Sequence, residues 1–385
     1  MFEKIVLHKP YLIGNEKKYL YQCINDNWIT SGKFINRFED NISNYLNINY
    51  AISCVNGTSS LHIALKALNI KINDEVIVPT ITFIAPINSV SYNNAIPVFM
   101  DCDEYGNIDP YKVIEFIKNE TFYKKKFSYN IKTKRRIFGI IIVHAFGNAA
   151  NIEPIINICK KRNIKIIEDA SESLGTYYTK GKLKNKFTGT IGDIGCLSFN
   201  GNKILTTGGG GMIISKGKMI SNHVRYLINQ AKNDSFKFIH NDIGFNYRMS
   251  NLNAAIGCAQ FEKFQKNINI KNKIHNYYSK KFNKISGINL LKTPRYSYNN
   301  KWLNVVKFDD SINKIDIKKI YNSFKKHKIE VRKVWYPNHL QKPYKDFQRY
   351  KINNANLFYK NCLCIPSGPE LKIKDLNKIV EIFHC

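Results

Sequence analysis

The sequence predicts an α/β chain: a large domain with a mainly parallel central sheet flanked by helices, followed by a smaller carboxy-terminal α/β domain. Three observations predict it. From about residue 50 onward, short apolar runs alternate with helical patterns, the mark of parallel strands joined by crossover helices. Past about residue 255 the pattern changes to long Lys- and Asn-rich helical stretches, then a strand-like segment and another helix. The 385 residues, 44% of them hydrophobic, are enough for two cores. The division is set at residues 1–260 and 261–385, although no Pro/Gly-rich linker marks it.

Each element has its own signal. Leu61, Ala64, Leu65 and Leu68 follow the i, i+3, i+4, i+7 spacing of an amphipathic helix. Glu75 to Pro79 (EVIVP), Ile96 to Asp101 (IPVFMD), Ile137 to Val143 (IFGIIIV) and Ile164 to Glu168 (IKIIE) read as strands. A second helix spans Ile152 to Arg162. Cys196 to Phe199 and Gly211 to Ser215 read as two short strands flanking Lys203, and Trp302 to Phe308 as a strand of the second domain.

Composition narrows the function. The 59 basic against 29 acidic residues give a charge of +30, a balance that suits nucleic acid, anionic lipid or an anionic substrate. Its distribution decides: lysines occur throughout, and the densest run, Lys124 to Arg136, ends where an apolar strand begins and reads as a solvated loop. No nucleic-acid partner is expected. The nine cysteines include no CxxC pair and no Cys/His zinc spacing, so no metal is expected; Cys362 and Cys364 would share one face of a strand. Met1 to Gly14 builds no apolar run of signal-peptide length, and no stretch of about 20 apolar residues appears, so a soluble, cytoplasmic protein without membrane contact is expected. A nicotinamide enzyme is excluded, since no G-x-G-x-x-G follows the first strand.

Three groups of residues could carry chemistry. In an open parallel sheet ligands bind beyond the carboxyl ends of the strands. Asp169 stands there, where a carboxylate can cap the next helix, bind a metal, or pair with a protonated ring nitrogen. The helix starting near Thr58 follows Asn56 and Gly57, so its free N–H groups offer either an ordinary cap or a phosphate site. Lys203 sits in a short turn before the glycines Gly208 to Gly211, which let backbone approach backbone. A lysine held there is partly desolvated, which favours the neutral amine that Schiff-base chemistry requires. A phosphate-ready helix start, an acid at a strand end and a desolvated lysine are together the parts a pyridoxal-phosphate (PLP) enzyme needs.

At these residues the chain resembles the DegT/DnrJ/StrS family of sugar-nucleotide aminotransferases, which have the fold-type I PLP architecture. The likeness runs from Trp28-Ile29-Thr30-Ser31-Gly32 through Asn56-Gly57-Thr58-Ser59, Thr82-Phe83, Glu168-Asp169-Ala170, Gly192-Asp193 and Ser198 to Lys203. It continues in Gly244-Phe245-Asn246-Tyr247-Arg248, Val334-Trp335, His339-Leu340-Gln341 and Ile365-Pro366-Ser367. The resemblance implies pyridoxal 5'-phosphate as cofactor, with Lys203 forming the Schiff base and later shuttling a proton, and Asp169 pairing with the pyridinium nitrogen. It implies further that Thr58, Ser59 and Ser198 hold the cofactor phosphate, that Phe83 stacks on the ring, and that Asn246 reaches the phosphate of a partner subunit in a homodimer with shared active sites. L-Glutamate would donate the amine to C4 of a nucleotide-linked 4-keto-6-deoxy sugar, with a dTDP- or GDP-linked sugar, as for a perosamine synthase, as the alternative to a UDP-linked one. A dehydratase branch of the family carries His where this chain has Lys203, which argues for amino transfer. A regulator of the same fold would need no intact Lys203, Asp169 and Ser198. One departure stands out: the family commonly has Gln, bonded to the cofactor's 3′ oxygen, where this chain has Glu172. With the loop Asn130 to Arg136, Glu172 points to the subset resembling legionaminic-acid-pathway enzymes, whose substrate is a UDP-linked 2-acetamido-4-keto-6-deoxy sugar.

Overall fold

The apolar runs expected as strands pair into one ten-stranded sheet in the computed structural model, which describes residues 4–309 and 317–384. Its strands are β1 (Tyr50–Cys54), β2 (Glu75–Pro79), β3 (Ile96–Met100), β6 (Arg136–Val143), β7 (Lys165–Asp169), β9 (Ile194–Ser198) and β10 (Gly211–Ser215), with the hairpin β4 (Thr121–Lys124) and β5 (Phe127–Asn130) beside β6. A short β8 (Tyr177–Tyr178) pairs elsewhere, with Ser297–Tyr298. The order is β1-β10-β9-β7-β6-β2-β3, closed at its edge by Arg349–Tyr350. β7 runs parallel to both β6 and β9, and β2 to both β3 and β6, whereas β10 is antiparallel to β1 and β9. The central strands are nearly continuous Ile/Val runs because both sheet faces are covered. Val76, Val78, Ile141 and Val143 pack into one core, and the alternate residues Ile77, Ile140 and Ile142 into another.

Lys124 to Arg136 departs from the expected loop. Alternation in Thr121-Phe122-Tyr123 and Phe127-Ser128-Tyr129 builds an antiparallel ladder, with Phe122 stacked on Tyr129 at 5.5 Å. Its lysines stay exposed, as the solvated reading requires. Arg136 instead opens β6, paired with Asp74 and lying over the rings of Phe127 and Phe138 at 5.2 and 5.3 Å. The strand expected from Trp302 begins only at Asn304; Trp302 and Leu303 fall in the preceding bend, where the backbone turns to follow Asn300.

The helix Phe264–Phe282 runs from a core containing Phe264 and Ile268 into one containing Ile274, Tyr278 and Phe282. The latter core lies on a four-stranded antiparallel sheet ordered Ile288–Leu290, Asn304–Phe308, Cys362–Ile365, Arg332–Lys333. Cys362 and Cys364 share one strand face as expected, in a core apart from that of Leu363 and Ile365 on the other face, and all eight described cysteines are free thiols; Cys385 lies outside the described residues. The carboxy-terminal segment also grips the large sheet: Asn338 donates its N–H to Thr80 O at 2.9 Å, and Arg349–Tyr350 pairs with β3. The two sheets therefore meet over the carboxyl ends of the parallel strands.

Candidate active site

Strand ends, one helix start and the Lys203 turn surround a cavity of about 400 Å³. After β1, Asn56 caps the helix Gly57–Ala67, its side-chain oxygen accepting the Ser59 N–H at 2.8 Å. That bond uses the Ser59 amide, and Ser59 is buried behind the cavity wall. Gly57 and Thr58 do line the cavity, and amides of a first helical turn have no upstream carbonyl to receive them. A Cβ built on Gly57 would stand 2.7 Å from Ser198 Cβ and 3.0 Å from Ser198 Oγ, with Ser171 Oγ at 3.4 Å. The space a side chain would fill is thus ringed by two hydroxyls at the positive end of a helix, a cradle that fits a phosphate monoester.

Asp169 closes β7, its carboxylate buried on the cavity wall and accepting the Ser171 N–H at 3.0 Å. Burial pushes its carboxyl above the ordinary range, while the Ser171 hydroxyl and amide and the nearby Lys203 pull the other way. Behind it, Glu168 accepts His144 Nε2 at 2.9 Å and the N–H groups of Gly189, Ile191 and Gly192 at 2.9, 2.6 and 2.6 Å. Since His144 Nδ1 accepts the Ala150 N–H, its proton sits on Nε2 and goes to Glu168. This buried network fixes the end of β7 and so aims Asp169.

Lys203 lies in a turn closed by its own N–H to Asn200 O at 3.0 Å and by Thr207 N–H to Phe199 O at 2.9 Å. The glycine run has the use expected of it: a Cβ at Gly211 would meet Asn56 O at 2.3 Å, so only glycine lets β10 run this close to the helix cap. The Lys203 side chain is 13% exposed, with Nζ 3.8 Å from Glu172 Oε1 and 4.2 Å from the Trp302 ring centroid. Trp302 is itself fixed by its indole N–H to Asn202 O at 2.8 Å. Glu172 is buried, and its second oxygen accepts the Phe146 N–H at 2.9 Å. Burial, with Asp169 adding to it, pushes the Glu172 carboxyl up to about 7, against the pull of Lys203 and the Phe146 amide.

Of the residues expected in the site, Lys203, Asp169, Thr58, Phe83, Glu172 and Ser198 line this one cavity. Phe83 stands at its open side, 56% exposed. Ser59 stands behind the wall, and Asn246 is exposed and outside the cavity of its own chain. Ser171, Asn202, Trp302, Trp335, Arg332 and Lys333 also line the cavity and were missed. Only Ser171 had a local signal, two residues after an Asp whose side chain receives its amide. Among the described residues, no group of three or more His, Cys, Asp or Glu could hold a metal, and no helix is long and apolar enough to cross a membrane.

Residues 10–384 match the DegT/DnrJ/EryC1/StrS aminotransferase family. The chain belongs to that family. It is 34% identical to the GDP-perosamine synthase of Escherichia coli O157:H7, over 87% of this chain and 85% of that one. It is 30% identical to the UDP-4-amino-4,6-dideoxy-N-acetyl-beta-L-altrosamine transaminase of Campylobacter jejuni strain 81-176, over 74% and 71%. Helicobacter pylori PseC, an aminotransferase of pseudoaminic acid biosynthesis, superimposes with a TM-score of 0.88 over 99% of this chain and 98% of that one, at 21% identity. As a member of the DegT/DnrJ/EryC1/StrS family the chain is a PLP-dependent sugar-nucleotide aminotransferase of fold type I, and the serine-lined cradle, the buried Asp169 and the cavity-facing Lys203 amine fit that cofactor.

Proposed function

We propose that this enzyme transfers the amino group of L-glutamate to C4 of a nucleotide-linked 4-keto-6-deoxy sugar, UDP-2-acetamido-4-keto-6-deoxyhexose above all. The observation that carries the reading is the shared cavity: the Lys203 amine, the Asp169 carboxylate and the Ser198–Gly57 cradle face one space. PLP, when bound, supplies a ring that withdraws electrons from the carbon bearing nitrogen. Asp169 holds the proton on the ring nitrogen, and Lys203 Nζ carries the proton to and from the amino-bearing carbon. The Gly57 and Thr58 amides, with the Ser198 and Ser171 hydroxyls, anchor the phosphate, while Phe83 flanks the ring. Arg332, paired with Glu330 at 2.6 Å, and Lys333, whose Nζ donates to Lys360 O at 2.6 Å, line the cavity and would offer their charges to the substrate's diphosphate by exchanging those partners. The relatives divide over the nucleotide: the E. coli protein is named for a GDP sugar, the C. jejuni protein for a UDP 4-amino-4,6-dideoxy-N-acetyl sugar. The Glu172 subset favours the UDP sugar.

The proposal includes a homodimer in which Asn246 reaches the partner's phosphate cradle. Supporting it, Asn246 is exposed and does not line its own chain's cavity, and the segment holding the hairpin Lys232–Asp234 and Ile239–His240 exposes Phe236 at 89% and Ile243 at 82%, apolar side chains of the kind an interface covers.

A visible absorption spectrum of the purified protein tests the first part. Wild type with PLP should show a band that L-glutamate discharges, and Lys203→Ala should not form it. A wild type that stays colourless after PLP addition removes the proposal. Incubating the amine-loaded enzyme with UDP- or GDP-linked 4-keto-6-deoxy sugars then tests the acceptor: restoration of the band by the GDP sugar alone would overturn the UDP assignment.

A further inference from the structure

Glu172 stands where the family commonly has an amide, and its surroundings give the carboxylate a task an amide cannot perform. One oxygen is tied to the Phe146 N–H at 2.9 Å and the other faces Lys203 Nζ at 3.8 Å. Phe146, which holds Glu172 through that bond, is a buried non-glycine residue with a left-handed φ of 56°, a sparsely populated conformation for such a residue. The Trp302 ring, its centroid 4.2 Å from Nζ, attracts an ammonium, as the carboxylate does. Yet the amine must be neutral when it attacks a carbonyl. The proton therefore needs a place to go that does not require bulk water, in a pocket where Lys203 is only 13% exposed.

We propose that Glu172 is the proton acceptor of Lys203, taking the ammonium proton as the lysine captures PLP. The inference rests on Lys203 being the capturing residue, as argued above. In the step, Nζ and Oε1 close from 3.8 Å to hydrogen-bond distance, the Nζ–H bond breaks and the Glu172 Oε1–H bond forms, leaving a neutral amine and a neutral acid. The amine nitrogen then bonds to the cofactor's carbonyl carbon, and the carbonyl oxygen leaves as water with the two remaining amine protons. Charge is conserved, and no buried carboxylate is left facing an uncharged nitrogen, which would be costly. The ionisable groups around the pair are Asp169 from the end of β7, the Cys364 thiol from the small sheet and, on the Lys203 side, the His8 imidazole, which burial, then Lys271 and Lys203, hold well below its usual range, so it is a poor acceptor. Burial holds that thiol far above its usual range, so it stays protonated and takes no part. With its carboxyl pushed up to about 7, Glu172 is ionised and able to accept a proton above that pH, and below it is already protonated and cannot accept.

Stopped-flow mixing of the cofactor-free protein with PLP tests this without any turnover. Quenching of Trp302 and Trp335, which both line the cavity, reports docking, and the visible band reports capture. In wild type the capture rate should rise through about pH 7 and level off. In Glu172→Gln, docking should stay within about twofold while capture at pH 7 slows about tenfold and its rise moves at least about one unit alkaline. Equal capture rates and equal pH profiles in the two proteins overturn the proposal. If Glu172→Gln does not fold, wild type decides with Glu172→Asp: a capture rate flat from about pH 6 to about pH 8 in both overturns it, and a shared rise supports it. Quenching without any band would refute Lys203 as the capturing residue, and no quenching would refute the cofactor site, each removing this proposal with it.

Discussion

Gly57→Ala should separate cofactor affinity from folding. The added Cβ would stand 2.7 Å from Ser198 Cβ, which belongs to β9 in the centre of the sheet and is not the end of a flexible chain. It would also stand 3.0 Å from Ser198 Oγ, occupying the place of the phosphate. Relief comes by moving the helix start away from Ser198, which opens the cradle. Losing one or two hydrogen bonds to a charged phosphate costs about 1.5–3 kcal/mol each, so a total near 3 kcal/mol raises the Kd for PLP roughly 100-fold. The folded state gains in compensation, since replacing glycine by alanine restricts the unfolded chain by about 0.4–1 kcal/mol. The assay is an equilibrium titration of the cofactor-free protein with PLP and, in parallel, with pyridoxal, which lacks the phosphate. The expected result is a large loss for PLP, little change for pyridoxal, and a cofactor-free Tm lowered by no more than about 3 °C. A PLP Kd within twofold of wild type would refute the assignment of the cradle. Equal losses for both ligands would mean that the clash damages the pocket as a whole.

Three other perturbations have worked signs. Burial would raise the Glu168 carboxyl, but the His144 side chain and the three backbone amides hold it below the ordinary range. The stability it contributes is present above the unfolded carboxylate pKa and lost as pH falls through the folded one; Glu168→Ala leaves His144 Nε2–H and the three amides without their acceptor, at about 1–3 kcal/mol for each donor that water does not reach, and a total loss below about 1 kcal/mol in urea unfolding at neutral pH contradicts the network. Burial pushes Lys271 down to about 7, Glu370 opposing, while its Nζ donates to Ser367 O at 2.7 Å. An unfolded lysine keeps its proton to about 10.4, so the unfolded state binds more protons between these values and stability should rise with pH across them; Lys271→Met should remove that slope, and parallel pH curves for the two proteins would show that Lys271 stays charged. Phe236→Ser combined with Ile243→Ser, both on the exposed arm, should shift the protein from dimer to monomer in light scattering with the cofactor-free Tm little changed; an unaltered dimer means that the arm is not its interface.

Legibility in the sequence followed the range of the forces. β2 and β10 were read residue for residue, because each is an apolar run bounded by a residue that punctuates it, Pro79 at one end and Gly211 at the other. β1 was not named, since its run Tyr50–Cys54 is as long as β2 and β10 but carries no Pro or Gly at either end and passes almost at once into the Asn56 cap. Trp302 read as strand because it adjoins one, whereas its indole is fixed by Asn202 O, which lies 100 positions away in sequence. The same holds for Arg332, Lys333 and Trp335: they reach the cavity only because the small sheet folds over the strand ends, and no local pattern marks them.

The Lys203 turn shows what such distance does to a chemical argument. From the glycine run alone, desolvation favours a neutral amine. The fold instead brings two partners of positive charge to the same nitrogen, the Glu172 carboxylate at 3.8 Å and the Trp302 ring at 4.2 Å. At 3.8 Å a carboxylate and an ammonium attract each other by about 4 kcal/mol even at an effective dielectric constant of about 20, so burial does not act on this amine alone. Removal of water therefore does not by itself prepare the nucleophile. The neutral amine has to be made by moving a proton, and the group placed to receive it is the residue at which this chain departs from its family's common pattern.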